Sequence, residues 1–252
     1  MSLENAWPLI TAHAGCMGTI PNSSESFVAA FSSKADIIEA DIRSTRDGIP
    51  VLTHDDSFSI NGSAPIKVDS LDWGELLALV DSGQAEGIMR LETYLDLAAE
   101  LDKTIRCGGP SILNLDIKES ASLGAVAGIV RNRGLGSTVL FSGIKVDGLP
   151  EARSALSGLS YLFNADASLI AAENPEAGCR KVCAIASEFG CAGINLEWTN
   201  ASAEFVSRAK AAGFPVMLWT VDRAEDIKTA LALKPDSITT NRPDILARLL
   251  GR

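Results

Sequence analysis

Histidine is nearly absent from this chain: 252 residues contain two, His13 and His54. A histidine-rich metal tract is therefore excluded, and any acid–base chemistry on imidazole must come from this one pair. Basic residues are also in deficit. Lys and Arg number 22 against 32 Asp and Glu, a formal charge of -10, which argues against a broad nucleic-acid footprint. It does not exclude a phosphate ester, because a bound cation can reverse the sign inside a pocket. No apolar run approaches the ~18 residues of a membrane span. The N-terminal "MSLENAWPLI" lacks a basic region followed by an apolar run, so no signal peptide is expected. Cys16, Cys107, Cys179, Cys183 and Cys191 are odd in number with no framework spacing, which predicts reduced thiols and a cytoplasmic setting. Cys179 and Cys183 lie four apart on a predicted helix. With no third or fourth ligand evident they read as helix packing, not zinc.

What the chain does have is rhythm. "LITAHAG", "DIIEADIR", "SILNLDIK", "TVLFSG", "YLFNA", "AGINLEW", "PVMLWTV" and "DSITTN" are short apolar runs. Between them, segments such as "EAGCRKVCAIASEFG", "SAEFVSRAKAAG" and "AEDIKTALAL" carry helical spacing. Eight β–α units in one domain-sized chain predict an α/β fold of the TIM (β/α)8 barrel type over residues 1–252. The competing open, doubly wound sheet lacks a G-x-G-x-x-G after the first strand. Asn22 with Glu25 reads as a capping box opening the first helix. Residues from about 57 to 90, with "NGSAP" and the amphipathic "SLDWGELLAL", break the rhythm. They are expected to form a small inserted cap segment after the second strand, the alternative being a long surface loop.

Side-chain parity marks a site. In "IIEADIRS", Ile38, Ala40 and Ile42 share one face and Glu39, Asp41 and Arg43 the other. In "SILNLDIK", Leu113, Leu115 and Ile117 oppose Asn114, Asp116 and Lys118. The apolar faces must meet helices, so the polar residues point into the barrel, toward the strand ends where barrel enzymes build their sites. Unpartnered charges there would cost many kcal/mol. A divalent cation held by Glu39, Asp41 and Asp116 removes that cost, and an all-carboxylate set favours Mg²⁺ or Ca²⁺ over zinc. The alternative is an ion-pair network among Glu39, Asp41, Arg43 and Lys118. His13 and His54 fall at strand ends beside these carboxylates. One can take a proton and the other give one. A metal beside them suits a phosphoester, and Lys118 could hold a non-bridging oxygen as a point charge. No P-loop, G-x-S-x-G elbow or activated cysteine is present.

"AHAG" with "PNSSESF", "IEADIRSTRDGIPVLTHDD", "LNLDIK", "GINLEW", "LWTVD" and "SITTNRPDIL" together resemble the glycerophosphodiester phosphodiesterase family, from about residue 9 to the C-terminus. The resemblance implies a TIM barrel with an inserted cap segment and a divalent cation. It also implies hydrolysis of glycerophosphodiesters to glycerol 3-phosphate and an alcohol. It puts the catalytic pair on His13 and His54, the metal carboxylates on Glu39, Asp41 and Asp116, the phosphate lysine on Lys118 and a pocket aromatic on Trp219. The chain departs from the family pattern at three places. Ala14 stands where an arginine is usual, the stretch Pro21-Asn22-Ser23 lacks the usual glutamate, and Asp116 replaces the usual Glu. Related spider-toxin phospholipases D also lack that arginine and form cyclic phosphates, so a lyase is an alternative. A catalytically weak barrel that binds phosphorylated ligands is another. Arg43, on the face of Glu39 and Asp41, is expected to bind substrate in place of the missing arginine, the alternative being an ion pair with Asp41 or Asp47.

Overall fold

The computed structural model describes residues 8–62, 64–105, 111–170 and 175–252; Cys107 lies outside them. The chain opens with β1 (Leu9–Ala12), α1 (Ser24–Ser32) and β2 (Ile37–Ser44). Four short strands follow, β3 (Pro50–Leu52), β4 (Ser57–Phe58), β5 (Ile66–Lys67) and β6 (Met89–Arg90), with α2 (Trp73–Asp81) before the last. The strand–helix alternation then resumes. It runs α3 (Leu91–Ile105), β7 (Ile112–Ile117), α4 (Leu123–Asn132), β8 (Val139–Ser142), α5 (Leu149–Ala155) and β9 (Ser160–Asn164). It continues through α6 (Ala167–Ile170), α7 (Pro175–Phe189), β10 (Gly193–Glu197) and α8 (Ala203–Ala211). It ends with β11 (Val216–Trp219), α9 (Ala224–Ala232), β12 (Ser237–Thr240) and α10 (Pro243–Leu249).

Strands β1, β2 and β7 to β12 pair in parallel, each with its neighbour, and β1 pairs with β2 to close the ring. The result is the eight-stranded α/β barrel expected from the alternating pattern. Every one of the eight quoted apolar runs contains a barrel strand. The physical reason is that each strand must bury one full face under helices. Ile10, Ile38, Ala40, Ile42, Leu115, Leu196, Leu218 and Ile238 are all fully buried in one continuous apolar cluster. Each large side chain there contributes about 1.5–3 kcal/mol relative to exposure.

Register then sets the site. Glu39 lies opposite Asn114 and Asp41 opposite Asp116 across the β2–β7 pair. Adjacent strands are ~4.8 Å apart, so same-face carboxylates in this register must crowd one another.

Residues 57–90 fold into the β4–β5 antiparallel hairpin, a 3-10 turn at Val68–Ser70 and α2. With Val51 of β3 they form a separate small apolar cluster, contributing Val68, Leu76, Ala85 and Ile88. Arg46 ties the segment down through Asp72 and Glu75, at 2.8 and 3.0 Å.

The helix start of α1 differs from the sequence expectation. Its N-cap is Ser23, whose hydroxyl accepts from Ser26 N at 3.1 Å. Asn22 does not cap: it is buried and bonded to Asp41 instead. A carboxylate that needs neutral donors has claimed the amide, and the neighbouring serine takes its place. Cys179 and Cys183 sit on α7 with sulfurs 3.9 Å apart. Among the described residues no further ligand joins them.

Candidate active site

Glu39, Asp41 and Asp116 each offer a carboxylate oxygen within 4.8 Å of the others. Among the described residues no other His, Cys, Asp and Glu group is close enough to share an ion. Glu39 and Asp41 are 5% and 1% exposed. The chain partly neutralises them. Ala14 N donates to Glu39 Oε2 at 2.7 Å. Asn22 grips Asp41 at both ends, its amide donating to Oδ2 at 2.8 Å and its carbonyl accepting from Asp41 N at 3.0 Å. Ser142 Oγ donates to Asp116 Oδ1 at 2.5 Å. Lys118 Nζ bridges Asp41 Oδ1 and Asp116 Oδ2 at 2.8 and 2.6 Å. Asp41 Oδ1 is buried and takes the ammonium only as an ionic contact, without directed hydrogen-bond geometry.

The electrostatics are those of an over-filled anionic site. Burial, then the charges of Asp41 and Asp116, push the Glu39 carboxyl well above the usual carboxylate range. Burial works to raise Asp41 too, but Lys118 and the Asn22 amide outweigh it and hold Asp41 below its ordinary value. Burial disfavours the Lys118 ammonium, yet Asp116 and Asp41 lift its pKa above the normal lysine value. One lysine thus serves two carboxylates and leaves the third uncompensated. A set of three hard oxygen donors with an uncompensated buried charge fits Mg²⁺ or Ca²⁺. The ion-pair alternative is realised only in part: Lys118 joins the network and Arg43 does not.

Both histidines line the same cavity of about 600 Å³, together with Glu39, Asn114, Asp116, Lys118 and Trp219. His13 follows β1. Its Nδ1 is 3.0 Å from Asn241 Oδ1. The Asn241 amide is oriented by Asp222, which accepts from Asn241 Nδ2 at 2.9 Å and from its backbone N at 2.7 Å. With its NH₂ committed to a carboxylate, Asn241 must present oxygen to the ring. Nδ1 is then the protonated nitrogen and Nε2 carries the lone pair. His54 follows β3, whose exit is pinned where Thr53 N donates to Asp41 O at 3.1 Å. Its Nδ1 meets Asp55 Oδ1 at 2.8 Å, and its side chain is 60% exposed. His54 also lines a second cavity of about 490 Å³, bounded by Phe58, Ile60, Ala85 and Ile88 of the 57–90 segment and by Ile20 and Pro21.

Arg43 is not among the residues lining either cavity. Its Nε donates to the backbone carbonyl of His54 at 3.0 Å, and its Nη1 lies 3.4 Å from Glu119 Oε2. Neither Asp41 nor Asp47 is its partner; Asp47 is taken by Thr45 Oγ1 and Trp73 N. Trp219 closes one wall at the end of β11, with its buried Nε1 making no hydrogen bond.

Several site residues were not singled out from the sequence. Asn22 was read as a cap, and Asn241 and Asp222 were seen only as parts of C-terminal strings. Asn241 and Asp222 share a signal, position in the loop just after a barrel strand, whereas Asn22 lies at the far end of the β1–α1 loop. Ser142 and Lys145 share that signal, at the end of β8 and just beyond it, and both line the larger cavity.

The model of the glycerophosphoryl diester phosphodiesterase family matches residues 13–245. A glycerophosphodiester phosphodiesterase of Caldanaerobacter subterraneus subsp. tengcongensis is 26% identical, over 97% of this chain and 98% of the relative. Among solved structures, an Oleispira antarctica phosphodiesterase in complex with the product sn-glycerol-3-phosphate superposes with a TM-score of 0.78, at 20% identity and 97% coverage of each chain. The glycerophosphodiester phosphodiesterase of Thermotoga maritima gives 0.75 at 18% identity, covering 98% of this chain and all of the other. No helix of the described residues is long and apolar enough to cross a membrane. With a family match that spans both histidines, all three clustered carboxylates and every barrel strand after β1, the chain belongs to the glycerophosphoryl diester phosphodiesterase family.

Proposed function

We propose that the chain hydrolyses glycerophosphodiesters to glycerol 3-phosphate and an alcohol, with a divalent cation, Mg²⁺ or Ca²⁺, and the His13–His54 pair. The observation that carries this reading is the Asp222–Asn241–His13 chain of hydrogen bonds, which leaves a free imidazole lone pair in the same cavity as Glu39, Asp116 and Lys118. The product named for the Oleispira antarctica phosphodiesterase supports the substrate class.

A cation on Glu39, Asp41 and Asp116 would neutralise the phosphate anion that otherwise repels a nucleophile. The remaining work belongs to the chain. His13 Nε2 takes the proton of the attacking water. His54 gives a proton to the oxygen of the departing alcohol. Asn241 holds His13 in the required tautomer, and Asp55 orients His54 through Nδ1. Lys118 holds a non-bridging oxygen as a point charge. Trp219 packs against the non-reacting part of the substrate. The 57–90 segment acts as the cap, covering one side of His54.

Arg43 was expected to bind substrate. For that role its guanidinium would have to leave Glu119. Its hydrogen bond to the His54 carbonyl favours a second role, positioning the loop that carries His54.

The test is turnover of glycerophosphocholine and glycerophosphoethanolamine after EDTA treatment and after Mg²⁺ or Ca²⁺ is restored, with products read by ³¹P NMR. Cation-dependent release of glycerol 3-phosphate is expected. A cyclic phosphate as sole product would instead make the enzyme a lyase, and no turnover would leave only a ligand-binding barrel.

A further inference from the structure

We propose that Lys145 is a second cation for the substrate's phosphoryl group, an inference that rests on the phosphodiesterase reading above. Lys118 and Lys145 are the two cationic Lys or Arg side chains among the described residues lining the larger cavity. Lys118 is committed to Asp41 and Asp116. The ammonium of Lys145 has no carboxylate within ion-pair distance among the described residues, although Asp166 lines the same cavity. A divalent cation and Lys118 together cancel the charges of Glu39, Asp41 and Asp116. Beyond the contact Lys118 makes with a non-bridging oxygen and the proton His54 brings, Lys145 is then the remaining cationic side chain in the cavity lining to balance the diester's own negative charge. Arg43, the other candidate, is held by Glu119 and the His54 carbonyl outside the cavity lining.

Lys145 is also on a loop that is held in place. β8 neighbours β7 around the barrel, with Asp116 opposite Ser142. One residue on, Gly143 has φ +80, and a Cβ there would fall on the carbonyl oxygen of Ile117. Only glycine permits that approach, so the loop packs flat on the end of β7. Gly143 N donates to Asn164 Oδ1 at 3.0 Å, Asn164 N to Ile144 O at 2.8 Å, and Gly148 N to Lys145 O at 3.0 Å. The backbone of Lys145 is thereby fixed on the rim of the cavity that Asp116 and Lys118 also line, while its long side chain is exposed and able to follow an anion.

The experiment is calorimetric binding of sn-glycerol 3-phosphate to the Mg²⁺- or Ca²⁺-loaded protein, for wild type, Lys145→Met and Lys145→Arg. Mn²⁺ affinity is measured in parallel by electron paramagnetic resonance. A lost charge-assisted hydrogen bond predicts roughly tenfold weaker binding for the Met variant. The Arg variant should stay within about threefold of wild type, because the charge is kept. Mn²⁺ affinity should be unchanged. Equal glycerol 3-phosphate binding by wild type and Lys145→Met overturns the proposal alone. So does a parallel loss of Mn²⁺ affinity, which would make the lysine structural. A KM penalty confined to glycerophosphoserine, with product binding intact, would move Lys145 to an anionic headgroup and also overturn it. A wild-type protein that neither binds glycerol 3-phosphate nor turns over any diester sinks the phosphodiesterase reading itself, and this one with it.

Discussion

Glu39→Gln should make the cation-free protein more stable while ending its response to cations. Glu39, Asp41 and Asp116 place oxygens within 4.8 Å of one another; at an effective dielectric of ~20, two unit charges at that distance repel by about 3.5 kcal/mol. Lys118 offsets part of this, and the raised pKa of Glu39 relieves more by keeping its proton to higher pH than usual. The net relief from Gln is therefore smaller, on the order of 1–2 kcal/mol. Gln keeps the volume and can still accept from Ala14 N, so no cavity is created and the Ala14 N–H keeps its acceptor. The pH sign follows from the direction of the shift. The Glu39 carboxyl is raised above its ordinary 4.5, so its contribution is intact below that value. Stability then falls as pH climbs toward the folded-state pKa. The gain from Gln should thus be absent near pH 4 and grow as pH rises. For a domain of this size 1 kcal/mol moves Tm by about 2–4 °C, so thermal melts in EDTA at pH 8 should rise by roughly 2–8 °C. Adding Mg²⁺ or Ca²⁺ at about 100 times Kd should stabilise wild type by about 2.7 kcal/mol and leave Glu39→Gln nearly unmoved. A Gln variant that melts below wild type in EDTA and still gains from cation would refute both the crowding and the ligand assignment.

Four further outcomes are expected. His13→Ala and His54→Ala should each lower kcat by at least ~10²-fold with melting temperature preserved, as read by steady-state kinetics on refolded protein. Asn241→Leu should cut kcat by about 10- to 100-fold without changing cation affinity, because the residue touches His13 and Asp222 and none of the clustered carboxylates; unchanged kcat would remove Asn241 from the mechanism. Arg43→Met should lower kcat more than it raises KM if it positions His54, and raise KM if it binds phosphate, so the split between the two constants decides its role. Burial, with Glu39 and Asp244 adding to it, pushes the Cys16 thiol up to about 11, so native Cys16 should resist alkylation at pH 8 and react only on unfolding, as followed by mass spectrometry.

The barrel was legible because both faces of each strand are spoken for. Ile38, Ala40 and Ile42 had to face helices, which forced Glu39 and Asp41 inward. The carboxylate cluster followed from parity on two strands and needed no knowledge of loops. The residues that support it were not legible. Asn22 sits 19 positions from Asp41, and Asn241 is 228 from His13. The first pair needs the β1–α1–β2 unit to be folded and the second needs the ring to be closed. Local signals misled in the same places: a cap-like Asn22 and Glu25 described a helix start that Ser23 makes instead. Arg43 shows the limit of parity. It shares a face with Asp41, yet β2 has turned by then to pair antiparallel with β3, opposite Val51, and the side chain reaches His54 and Glu119 instead of the cavity.

That divided strand has a mechanical consequence. The first part of β2 is clamped between β1 and β7, whereas Ile42 to Ser44 also pair with β3, which hands on to β6. The charge-bearing half of the site thus belongs to the barrel, and His54 belongs to a satellite with its own small apolar cluster. Two such bodies need not open together. Amide exchange should find Glu39 to Asp41 protected to the level of global unfolding, and Thr53 to Phe58 released in a lesser event. The protein could then lose the imidazole proposed as its proton donor, reversibly and without melting, while its carboxylate cluster stays assembled.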